Sequence, residues 1–117
     1  MSEISPSEAA RLSDTAAAAL RRNDPIAARR HFQQLVGARP ADADAWIGLA
    51  LASRGMGDET GARAAIDKAL AVQPNHLRGL VMKADSVALA GDGRAAHAFY
   101  SAAVARAPAI ESLSAEM

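Results

Sequence analysis

The chain has 117 residues, half of them hydrophobic but only four aromatic, and its 13 basic residues balance 13 acidic ones. That length fits one small domain, and the charge balance removes the basic footprint expected of a nucleic-acid or anionic-membrane binder. The absence of cysteine excludes disulfides, thiolate metal sites and cysteine nucleophiles.

In chain order, the N-terminal stretch MSEISPSEAARLSD lacks a basic segment followed by an apolar one, so no secretory leader is expected, and no run reaches the roughly 18 apolar residues of a spanning helix. A soluble, cytoplasmic chain is the expectation. Ser5 stands before Pro6 and three residues before Glu8, the pattern of a capping box, and opens a predicted helix over 6–22. Asn23-Asp24 breaks it: asparagine tolerates the left-handed conformation, aspartate caps the next helix, and Pro25 suits a first turn. Helices are predicted over 25–38, 42–55, 59–72, 76–90 and 93–107, with Gly57-Asp58 and Gly91-Asp92 as further corners and a short tail helix near 109–115. Pro40, Pro74 and Pro108 push Arg39, Gln73 and Ala107 out of the helical region, which stops each second helix there. Asp42 and Asn75 are the expected caps of the helices that follow the first two prolines.

Both kinds of punctuation recur every 34 residues, so the chain divides into units 9–42, 43–76 and 77–110, with a tail of 111–117. Numbering places within a unit, place 4 holds Leu12, Trp46 and Leu80; place 8 holds Ala16, Ala50 and Ala84; place 20 holds Ala28, Ala62 and Ala96. Place 24 holds Phe32, Ile66 and Tyr100, and place 27 holds Leu35, Ala69 and Ala103. Large and small residues recur in register, as they must when each unit packs on copies of itself.

This pattern resembles the tetratricopeptide repeat (TPR) family, a 34-residue helix-turn-helix with Trp, Leu, Gly, Tyr, Ala, Phe, Ala and Pro at set places. The middle unit matches best, with Trp46, Leu49, Ala50, Ala62, Ile66, Ala69 and Pro74; the family's tyrosine-like place holds Ala19, Ser53 and Val87, and its first leucine place holds Thr15 and Lys83 in the outer units. The resemblance implies an all-α, right-handed superhelical array of three repeats with a short C-terminal helix, forming one domain over 1–117. It also implies a non-catalytic scaffold that binds a peptide or helix in a concave groove lined by first helices.

On those helices places 2, 5, 9 and 12 share a face. They hold Ala10, Ser13, Ala17 and Leu20; then Asp44, Ile47, Leu51 and Arg54; then Arg78, Val81, Asp85 and Ala88. The candidate peptide-binding residues are Ser13, Asp44, Ile47, Leu51, Arg54, Arg78, Val81, Met82 and Asp85, centred on the apolar strip Ile47, Leu51, Val81 and Met82. Of the basic residues with which some TPR proteins clamp a C-terminal carboxylate, only Arg78 is matched, so that mode is not expected. Asp44 with Arg78, and Arg54 with Asp85, are alternatively plain surface ion pairs.

No constellation supports catalysis. His31, His76 and His97 occupy different places and form no metal-ligand motif, so no metal or cofactor is expected and surface or boundary roles are assigned to them. GMGDETG at 55–61 follows a helix and lacks the P-loop lysine, so it reads as a repeat corner, and Arg21 and Arg22 complement a helix C-terminus. Trp46 reads as core. Two further readings exist. The tracts LRRNDPIAARRHFQQLVGARPADADAWIGLA and MKADSVALAGDGRAAHAFYSAAVARAP are similar to repeats preceding the catalytic domain of bacterial aspartyl/asparaginyl beta-hydroxylase-like proteins, which use iron and 2-oxoglutarate, although the iron ligands have no counterpart here. Apolar surface around Phe99, Ala103 and Val104 alternatively makes the chain self-associating, as a homodimer.

Overall fold

The computed structural model describes residues 4–106. Six helices succeed one another: α1 (Pro6–Arg21), α2 (Pro25–Ala38), α3 (Ala43–Gly55), α4 (Glu59–Val72), α5 (Leu77–Leu89) and α6 (Gly93–Arg106), with no strand among the described residues. This is an all-α helical repeat, as the 34-residue period implies; the tail helix near 109–115 lies outside the described residues.

Local chemistry explains each boundary. Asn23, Gly57 and Gly91 all have positive φ, at 60°, 80° and 90°. Around them one bonding pattern is repeated: Asp24 N–H donates to the Ala19 carbonyl at 2.8 Å, Asp58 to Ser53 at 2.9 Å and Asp92 to Val87 at 2.9 Å. A tighter bond runs from Asn23, Gly57 and Gly91 to Leu20, Arg54 and Ala88, each at 3.0 Å. These are Schellman closures, which satisfy the last carbonyls of each first helix. The aspartates then cap the second helices, with Asp24, Asp58 and Asp92 carboxylates accepting from Ala27, Gly61 and Ala95 N–H. Ser5 Oγ accepts from Glu8 N–H at 3.1 Å at the head of α1.

The first helices α3 and α5 are capped from one equivalent place by different chemistries. Asp42 accepts from Ala45 N–H, and His76 Nδ1 accepts from Gly79 N–H at 3.0 Å. Asn75, expected as that cap, stands one residue too early. His76 is buried rather than a surface or boundary residue, because its ring turns inward to serve as an acceptor.

The chain forms two compact units, Met1–Pro74 and Asn75–Met117. In the first, α1 packs on α2, α2 on α3 and α3 on α4, and α1 also reaches α3. Its core joins Ala9, Ala16, Ala19, Ala28, Phe32, Leu35, Val36, Ala45 and Ala52, with Leu12, Trp46 and Leu49 packed at the edge. Trp46 is therefore a half-buried rim of the core, and its Nε1–H donates to the Pro40 carbonyl at 2.8 Å. Gly48 sits under the Phe32 ring: a Cβ there would fall on the ring tip, at Cε1 and Cζ. In the second unit α5 packs on α6, and Leu80, Met82, Ala84, Ser86, Ala96 and Ala103 are buried.

Two stability measurements follow. Gly48→Ala forces the Phe32 ring to move, and chemical denaturation is expected to show a loss of about 1–3 kcal/mol, typical of overpacking; an unchanged midpoint would show that the ring yields freely. His76→Ala removes the α5 cap and is expected to cost about 1 kcal/mol, whereas His76→Asp, which restores the chemistry of Asp42, retains most of it.

Candidate functional site

The candidate residues divide between the two units. In the first, Ser13 on α1 and Leu51 on α3 are half-buried and Asp44 is exposed. Arg54 Nε donates to Glu59 Oε1 at 3.0 Å, an ion pair within one repeat that partly neutralises this end of the face. Ile47, expected on the contact surface, retains only 2% exposure and belongs to the interior. In the second unit Arg78 and Val81 are exposed, Asp85 is half-buried, and Met82, at 5% exposure, is interior rather than a contact residue. Place 5 thus appears half-buried at Ser13, buried at Ile47 and exposed at Val81. Helical spacing alone does not set that depth.

Within the first unit the structure brings together what the periodicity linked at a distance. Leu20, at place 12 of one repeat, and Leu51, at place 9 of the next, line a single hollow of about 260 Å³ with Asn23, Pro25 and Gly55. The α1–α2 corner supplies Asn23 and Pro25, and Gly55 ends α3. A Cβ at Gly55 would come within 3.0 Å of Pro25 Cβ, so glycine lets α3 close against the head of α2. Sequence reasoning read these three as turn chemistry only; their contribution to a wall comes from packing between repeats. The hollow is lined mainly by carbon. It suits an apolar side chain.

Two of the other singled-out arginines pair with aspartates. Arg22, exposed at the end of α1, lies 3.6 Å from Asp24, and Arg29 lies 3.9 Å from Asp58. His31 is half-buried on α2 and His97 exposed on α6. Among the described residues no three histidine, aspartate or glutamate side chains come together, and no helix is long and apolar enough to cross a membrane.

In the second unit the Tyr100 hydroxyl donates to Asp85 Oδ1. The bond to Asp85, some desolvation and the carboxylate charge all raise the Tyr100 pKa, since ionising the phenol would place two negative charges together.

Residues 19–85 match the model of the family described as tetratricopeptide repeat. The chain belongs to the tetratricopeptide repeat family. Among solved structures this TPR chain is similar to PcrH in complex with the chaperone binding region of PopB, at TM-score 0.81 and 22% identity, covering 97% of this chain and 94% of that one. It is also similar to MamA, at TM-score 0.71 and 20% identity, covering 87% of this chain; it spans 57% of the length of that MamA chain. At such identities these likenesses concern the fold. No curated protein sequence is significantly similar.

Tyr100 is the only tyrosine, so its ionisation can be followed by ultraviolet absorbance without interference from another phenol. Its titration is expected above the ordinary tyrosine value of about 10, and Asp85→Asn should bring it down. The sign follows from linkage: the folded form holds the proton more tightly, so the bond's stabilisation is complete below the unfolded pKa and is lost as pH rises through the folded one. An unshifted titration in the Asn variant would remove Asp85 as the cause.

Proposed function

We propose that this TPR chain is a non-catalytic scaffold that holds a segment of another protein against the exposed face of its first helices. The hollow formed by Leu20 and Leu51 carries this reading, because it places two apolar side chains from successive repeats around a space that can seat one side chain of a partner. Family membership and the fold shared with PcrH, whose complex contains the chaperone binding region of PopB, support a protein partner. Leu51 is the anchor, with Ser13, Asp44 and Arg54 on the same unit as its surroundings; Arg78, Val81 and Asp85 hold candidate places in the third repeat. Ile47 and Met82 support these residues from beneath. The three repeats act as one scaffold, located in the cytoplasm. An origin as the repeat region of a hydroxylase-like enzyme draws no support from the comparisons.

Affinity capture from the source organism, with a Leu51→Arg variant beside the unchanged chain, tests the site. The arginine is expected to reduce partner binding about 30-fold, the scale of a lost hot spot, while far-UV circular dichroism is unchanged. Equal capture by both proteins would reject the hollow as the seat.

A further inference from the structure

The outer faces of the first and last repeats resemble the two halves of an interface that closes inside the chain. Between α2 and α3, Phe32, Leu35 and Val36 form one core cluster with Ala45, Trp46, Leu49 and Ala52. Moved by two periods, the first set becomes Tyr100, Ala103 and Val104; moved back by one, the second becomes Arg11, Leu12, Thr15 and Ala18. Exposure differs at these equivalent places. Val36 is 7% exposed and Val104, at the same place, 75%; Phe32 is 5% exposed and Tyr100 39%. At the other end Arg11, Leu12 and Thr15 line a hollow of about 310 Å³ on the outer side of the first helix pair.

Both members of one interior contact are replaced at the two ends. Inside the chain the tip of the Phe32 ring rests where Gly48 leaves room. The equivalent residues at the ends are Tyr100 and Asp14, and the Tyr100 hydroxyl is held by Asp85 of its own unit.

We propose that the last repeat of one copy docks on the first repeat of another, head to tail, with Val104 seated beside Leu12 and Thr15. Such contacts join two different surfaces, so they do not close at a dimer of their own accord and copies add in series. The surfaces are separate from the Leu51 hollow, and partner capture and self-assembly are read out independently.

Light scattering on the full chain across a concentration series supplies the test. The mass is expected to rise past that of a dimer, and Val104→Glu and Thr15→Arg, both at exposed positions, each stop the growth at monomer. Mixing the two variants should restore a one-to-one dimer, because one retains a working tail and the other a working head. Circular dichroism checks folding, and Val104→Ser replaces the glutamate should that variant unfold. A chain that stays monomeric throughout overturns the proposal, as does growth that neither variant stops. Dimerisation of Thr15→Arg alone, or a mixture that stays monomeric, overturns it equally.

Discussion

Close approach of helices is the constraint on which this structure rests. Alanine at places 8 and 20 is buried to 0–4% in every repeat, at Ala16, Ala50 and Ala84 and at Ala28, Ala62 and Ala96. A core built of such small side chains gains little from each one, so stability depends on many short contacts and little empty space. Gly48 shows the limit: the backbone of α3 comes so near the Phe32 ring that no side chain fits between them. The few large residues are therefore placed singly, with a small residue opposite, and the repeat period preserves that alternation.

The corners were legible because their chemistry is local. A left-handed residue followed by aspartate specifies both the end of one helix and the start of the next, whatever packs around it. At the first helices two signals competed. Asparagine is a better capping type than histidine, which pointed to Asn75; repeat register pointed to His76, 34 residues after Asp42. Register prevailed, since the cap must stand at a fixed distance from Leu80, whose burial fixes the rotation of α5. A histidine there needs an unprotonated Nδ1 to accept the Gly79 N–H, a demand that aspartate does not make.

The site was only half legible. Three-and-four spacing assigned Leu20, Ile47 and Leu51 to one direction, and the structure does join Leu20 to Leu51. Periodicity gives an angle around a helix axis and says nothing about how far neighbouring repeats close over that angle. Ile47 and Met82 were consequently read as surface although both are interior. Asn23, Pro25 and Gly55 carry the opposite lesson: residues chosen for a turn also form a wall, because the turn of one repeat lies beside the helix end of the next.

Electrostatics decides what kind of recognition this surface can offer. The chain's charges cancel, and Arg54, on the face that presents Leu51, already has Glu59 at 3.0 Å. Binding an acidic partner there would first require parting that pair, so the partner's charge gains less than the count of arginines suggests. Long-range steering is correspondingly weak, since the formal charges of this chain cancel and exposed charges are screened beyond about one Debye length. What the structure does fix is shape: the width of the hollow between Leu20 and Leu51 is set by how closely alanine and glycine allow three helices to meet. The small residues of the core thus shape a surface hollow that they do not themselves line.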